Sequence, residues 1–131
     1  MNLIQSPHTP APAGHYSHAV EAGGLVFVSG VLPGKAAEGE VDSFERQVRA
    51  SFTHCANILK ASGCALNDVV QCTAYIVGVK NWPEFNAIYA EIFGSHKPAR
   101  AVVPVPELHY GFLVEIQLVA EISKAYFSES E

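Results

Sequence analysis

The spacing of hydrophobic positions changes period several times along the chain, and each change marks an element. Between Asp42 and Gly63, the residues Phe44, Val48, Phe52, Cys55 and Leu59 recur at steps of four, four, three and four, the period of one helical face. Asp42 with Glu45 three residues later reads as a capping-box start, and Gly63 as a stop in the left-handed region. The stretch "NWPEFNAIYAEIFG" repeats the helical signature. Asn81 is its predicted cap, Pro83 sits in the first turn, Phe85, Ile88, Tyr89, Ile92 and Phe93 form the apolar stripe, and Gly94 ends it.

Other segments follow the period of a strand. "HAVEAGGLVFVSG" places two short apolar runs around Gly23-Gly24, a hairpin signal. "DVVQCTAYIVGV" (68–79) is β-branched and aromatic, and residues 100–105 and 112–122 complete the set. In the last strand, Phe112, Val114, Ile116, Leu118, Ala120 and Ile122 point one way, to pack under the helices. Residues 1–14, with Pro7, Pro10 and Pro12 and no periodicity, read as an irregular arm. "VLPGKAAEGEV" reads as a loop returning through a short strand near Val41.

The predicted order is β-β-(β)-α-β-α-β-β in one domain over 1–131: an α+β fold with a mixed sheet and two helices on one face. Period-two alternation places Val69, Thr73, Tyr75, Val77 and Val79 on one side of the 69–79 strand. Val70, Cys72, Ala74 and Ile76 fall on the other. Both faces are apolar, and two helices cannot cover both. The second face is therefore expected to pack against another copy of the chain.

Composition narrows the function. The 131 residues suffice for one domain, and 49% hydrophobic with 16% charged residues is an ordinary globular mix. A net charge of −5 with eight Lys plus Arg and no basic cluster argues against nucleic acid as the main partner. Cys55, Cys64 and Cys72 form no CxxC pair, so reduced buried thiols are expected, with neither zinc nor a redox motif. "MNLIQSPHTP" lacks the parts of a signal peptide, and no apolar run approaches the length of a membrane span. A cytoplasmic protein is expected.

The chemistry concentrates at "KPARAVVPV" (97–105), which puts Arg100 at the mouth of a strand. Arginine there grips a carboxylate in a bidentate fork or closes a surface salt bridge. If small Ala101 and Val103 lie beneath the helices, then Arg100 and Val102 take the other face. Arg100 would share that face with Glu115 were the two strands neighbours, as an interface ion pair or as two ends of a site. His15 and His18 are three apart, on opposite faces of a strand, which suits a surface or turn role better than a metal site. His54 falls between stripe residues and is expected in solvent. His96 either lines a cleft before Arg100 or simply follows a helix end. Tyr89 reads as core and Trp82 as a staple at a helix start. Ser29 has no GxSxG context and is no nucleophile.

Four segments, "GHYSHAVEAGGLVFVSGVLP", "FNAIYAEIF", "KPARAVVPV" and "GFLVEIQLVAEI", resemble in order and spacing the motifs of the RidA/YjgF family of enamine/imine deaminases. The resemblance covers residues 14–122. It implies a chorismate-mutase-like fold with a six-stranded mixed sheet, a homotrimer around a central barrel, and active sites in the clefts between subunits. It further implies that Arg100 binds the substrate carboxylate and that Glu115 positions and polarises the attacking water. Tyr16, Ser29 and Asn86 match residues that line the cleft, Asn86 from a neighbouring chain. Val102 stands where the family often has cysteine, in a position that acts largely through its backbone. "ELHYG" (107–111) departs from the family's proline-containing turn, so His109 and Tyr110 are expected to reshape the pocket.

The implied reaction hydrolyses a 2-iminoacid, the tautomer of a 2-aminoacrylate-type enamine, to a 2-oxoacid and ammonia without metal or organic cofactor. Two other classes stand beside it. A non-catalytic trimer binding 2-oxoacids would use Arg100 but would not need Glu115. A holdase-like role would predict exposed apolar patches and indifference to changing Arg100.

Overall fold

The computed structural model describes residues 1–34 and 43–122. The proline-rich arm is not wholly irregular. Asn2–Ile4 forms a strand (β1) antiparallel to Ala19–Ala22 (β2), and the Asn2 side-chain amide donates to Glu21 Oε1 at 2.8 Å. So short a strand has no periodicity of its own; its partner's open edge determines its shape. The arm is then pinned by His18, which is buried. Its Nδ1 accepts from the Ser6 amide at 2.9 Å while its Nε2 donates to the Pro10 carbonyl at 2.8 Å. One tautomer of a neutral ring satisfies both bonds. The surface role expected of His18 is thus corrected to that of a buried clamp.

Gly23 and Gly24, at φ 59° and 79°, close the predicted two-residue hairpin between β2 and Leu25–Val31 (β3). Helix α1 (Phe44–Ala61) is capped by Ser43, whose hydroxyl accepts from the Arg46 amide at 3.0 Å. The predicted cap Asp42 and the strand near Val41 lie outside the described residues. At the far end Cys64 N–H reaches the Leu59 carbonyl and Gly63 N–H the Lys60 carbonyl, with Gly63 at φ 80°. That is a Schellman closure.

Val69–Val77 (β4), Trp82–Phe93 (α2), Ala99–Val105 (β5) and Val114–Glu121 (β6) follow, with short 3-10 turns before β4, between β4 and α2 and between β5 and β6. Asn81 occupies the cap position of α2, but its amide donates back to the Val77 carbonyl at 2.9 Å and caps nothing.

The sheet order is β1-β2-β3-β6-β4-β5, with only the β4–β5 pair parallel. Pro104 is tolerated because β5 is an edge strand. Both helices bury their stripes on the same sheet face, against Val26 and Val28 of β3, Cys72, Ala74 and Ile76 of β4, and Ile116 and Leu118 of β6. The alternation read from the last strand holds throughout: Phe112, Val114, Ile116, Leu118, Ala120 and Ile122 are all buried.

On β4 the alternation fails at one point. A bulge between Val69 and Gln71 sends Val69 into the core and leaves Val70 exposed, the reverse of their predicted faces. Two polar side chains join the core side: buried Gln47 accepts the Leu113 amide at 2.7 Å, fixing the entry to β6, and Ser51 lies fully buried.

Candidate functional site

The ladder decides which face Arg100 occupies. In β5, Arg100 pairs with Cys72 and Val102 with Ala74, both core residues of β4. Arg100 and Val102 therefore lie on the helical face, and Val102 is half-buried against the core. Glu115 pairs with Tyr75 and alternates with buried Val114 and Ile116, so it lies on the opposite face. Strand β4 also separates β5 from β6. The expectation that Arg100 and Glu115 share a face on neighbouring strands is overturned. The elimination failed because an edge strand does not bury its small residues: Ala101 is exposed.

Around Arg100 the structure builds a mount of neutral groups. Its Nη1 donates to Asn86 Oδ1 of α2 at 2.9 Å, and its Cζ lies 4.9 Å from the centre of the Tyr89 ring. The stack combines cation–π attraction with a fixed plane. Tyr89 is held in turn by Phe85, Phe93 and Phe52, at ring separations of 5.6, 4.6 and 6.0 Å. Beneath the guanidinium, burial pushes the Cys72 thiol up to about 12, against smaller lowering influences from Tyr89 and Arg100. Burial likewise pushes the Tyr89 phenol well above its ordinary value. Near neutral pH both groups are uncharged, and Arg100 has no carboxylate partner among the described residues. The surface salt-bridge reading is therefore not met within one protomer. Arg49 shows the contrast: it pairs with Glu45 and Glu91, each at 2.9 Å.

Glu115 forms the second centre, in a cleft of about 370 Å³ lined with Tyr16, Ser29, Gly30, His109 and Tyr110. Ser29 and Gly30 fall in an irregularity of the β3–β6 ladder between Val28 and Val31, the kind of kink that re-aims side chains. The Ser29 hydroxyl donates to the Ser17 carbonyl at 2.7 Å, tying the strand to the segment that carries Tyr16. Glu115 lies across the bare backbone of Gly30: a Cβ placed there would sit 2.4 Å from Oε2. Among the described residues its carboxylate has neither hydrogen-bond nor ion-pair partner. A half-buried carboxylate on an open cleft can accept a proton from water.

The structure thus brings Tyr16, Ser29 and Glu115 together, and separately Arg100, Asn86 and Val102. Two residues escaped the sequence reading, and a third, Tyr110, was expected at the pocket but not with a strained backbone. Gly30 seats the carboxylate, and Tyr89, read only as core, is also the platform for Arg100. Tyr110 takes φ 62° and is 75% exposed beside the cleft. Positive φ is rare for a bulky residue and tends to persist at functional positions. The serine-glycine pair was a visible signal; nothing marked the backbone of Tyr110. Contrary to expectation His54 is not in solvent, while His96 follows the end of α2, the second of its two expected places, with its backbone N–H on the Phe93 carbonyl. His54 Nε2 bonds the Pro33 carbonyl at 3.0 Å, half-buried, and His96 Nε2 bonds the Val69 carbonyl at the bulge at 2.7 Å.

Comparison with known proteins agrees with this architecture. The sequence profile of the family described as "Endoribonuclease L-PSP" matches residues 6–122. A RutC family protein of Aquifex aeolicus is 39% identical over 123 residues, covering 92% of this chain and 98% of that protein. Protein HMF1 of Saccharomyces cerevisiae is 36% identical over 115 residues, covering 85% and 87%. Among solved structures, the E. coli YjgF gene product superposes with a TM-score of 0.86 at 28% identity, covering 94% of this chain and 100% of that one. E. coli TdcF with bound serine gives 0.85 at 28%, with the same coverage. Profile, relatives and fold coincide over nearly the whole chain, which belongs to the endoribonuclease L-PSP family, that of the YjgF/RidA proteins.

Proposed function

We propose that the protein is a cofactor-independent deaminase that hydrolyses 2-iminoacids to 2-oxoacids and ammonia. The observation that carries this reading is a pair of charges with no ion-pair partner among the described residues: a guanidinium mounted on neutral groups, and a carboxylate laid bare over Gly30 in a cleft. Arg100 receives the substrate carboxylate through two charge-assisted hydrogen bonds. Glu115 takes a proton from water as its oxygen attacks the C=N carbon. Glu115 returns that proton to the imine nitrogen, giving the carbinolamine, and then relays the hydroxyl proton to the same nitrogen, which leaves as ammonia as the C=O forms. Tyr16, Ser29 and Asn86 line and order the site, and Val102 contributes backbone beside Arg100.

Because Arg100 and Glu115 lie on opposite faces of one sheet, a joint site takes one from each of two copies. A homotrimer with sites between subunits is the assembly proposed. Phe27, 45% exposed on the sheet face away from the helices, supports such a contact. The serine bound to TdcF carries the same carboxylate that Arg100 would grip. The family's description names a ribonuclease, but eight Lys plus Arg against thirteen Asp plus Glu supply no basic track for RNA. Among the described residues no helix is long and apolar enough to cross a membrane; a cytoplasmic location is part of the proposal.

The test couples a threonine dehydratase to 2-oxoacid and ammonia release, with wild type, Arg100→Ala, Glu115→Gln and an equal refolded mixture of the two variants. Acceleration by wild type, loss in each variant, and recovery of about one quarter of the activity in the mixture are expected. Inactivity of folded wild type overturns the deaminase, and failure of the mixture to recover overturns the shared site.

A further inference from the structure

A second cavity, of about 360 Å³, abuts the Glu115 cleft and shares Tyr16, Ser29, Gly30 and Tyr110 with it. It lies under the proline-rich arm, between Pro10, Ala11 and Pro12 on one side and Val31, Ile58 and Phe112 on the other. Among the described residues no Asp, Glu, Lys or Arg lines it. Its polar groups are largely committed elsewhere. The Thr9 hydroxyl donates to Ser6 Oγ, that of Ser29 to the Ser17 carbonyl, and both His18 nitrogens are bonded. The Nε2 of His54 is bonded as well, while its Nδ1 is buried without a hydrogen-bond partner among the described residues.

We propose that this cavity is the side-chain subsite of the imine reaction, and that the preferred substrates carry extended apolar side chains of leucine to phenylalanine size. The proposal rests on the deaminase reading above. A 2-iminoacid presenting its C=N carbon to Glu115 needs somewhere for its side chain to go, and this space adjoins that carboxylate. A methyl group would leave most of the volume unused, since about 300 Å³ is already the scale of a small-molecule pocket. Polar side chains would lose water for few partners, chiefly the hydroxyls of Tyr16 and Tyr110. Each methylene that fills apolar space raises affinity about fourfold. Three more carbons therefore set an upper bound of about sixtyfold for the leucine-derived imine over the alanine-derived one, and about tenfold is expected in kcat/KM after incomplete burial.

Two measurements test it. Imines are generated in situ by an amino-acid oxidase from alanine, leucine and phenylalanine, and kcat/KM is compared. Calorimetry follows the binding of pyruvate, 4-methyl-2-oxopentanoate and 3-phenylpyruvate, which reads the cavity without turnover. Both are repeated with Ala11→Phe, a change on the exposed arm that fills the cavity. The expected result is a rise with side-chain size in both measurements and a leucine-to-alanine ratio falling toward one in the variant. Turnover that is flat or declines with size overturns the subsite and leaves the deaminase standing. Graded 2-oxoacid binding, sensitive to Ala11→Phe but without turnover of any imine, keeps the subsite and overturns the deaminase. Absence of both gradients and of turnover overturns both.

Discussion

Replacing Gly30 by alanine separates the chemistry of the site from the stability of the fold. The new Cβ would lie 2.4 Å from Glu115 Oε2, 3.1 Å from Cδ and 3.5 Å from Cγ. Non-bonded heavy atoms settle near 3.5 Å or beyond, so the carboxylate must move by about 1 Å. It is the far end of a flexible side chain, and the move costs about 1 kcal/mol as an off-rotamer torsion. The Gly30 backbone is not among the positive-φ glycines, so alanine introduces no strain there. A 1 Å misplacement of a catalytic group lowers a rate about 100-fold, or about 2.7 kcal/mol of barrier. Gly30→Ala is therefore expected to melt within about 3 to 6 °C of wild type while losing about 100-fold in kcat/KM for imine hydrolysis. Differential scanning calorimetry and the coupled 2-oxoacid assay measure the two effects. Wild-type kcat/KM in a variant that folds normally would refute the reasoning, because Glu115 would not then act from the position observed.

Other expectations follow from the same geometry. Arg100→Lys keeps the charge but loses the fork and the stack on Tyr89, so KM for the imine should rise about tenfold while the melting temperature holds. Tyr89→Leu should raise KM in the same way, but it also opens the aromatic cluster and should cost about 3 kcal/mol in denaturant titration. Tyr110→Asn relieves a bulky residue from φ 62° and should stabilise the fold by about 1 kcal/mol in the same titration. Alkaline pH should destabilise the protein through Cys72. Its folded thiol holds a proton up to about 12 against an ordinary value of 9.0, so the stabilisation is complete below pH 9 and lost as pH climbs through that window. At pH 10.5 the loss from this thiol is about 2 kcal/mol, and Cys72→Ala should flatten the pH dependence of the guanidinium midpoint by that amount.

The period of hydrophobic residues by itself determined both helices, the Gly23-Gly24 hairpin and the buried face of the last strand. These are local patterns: a stripe at helical spacing or a period-two alternation has one compact way to exclude water. The resemblance of four motifs to a known family, and not the period, named Arg100, Glu115, Tyr16, Ser29, Asn86 and Val102 as site residues. Only the tertiary structure decided how they are placed. Strand β4 inserts between β5 and β6, and that pairing, made over long sequence separations, puts Arg100 and Glu115 on opposite faces. A one-residue bulge reversed Val69 and Val70, because alternation holds only while the ladder is unbroken. The arm's clamp on His18, the seat of Glu115 on Gly30 and the cavity beneath Ala11 join residues distant in the chain. Contacts of that kind leave no period in a sequence; they exist only where packing brings distant backbone into van der Waals range.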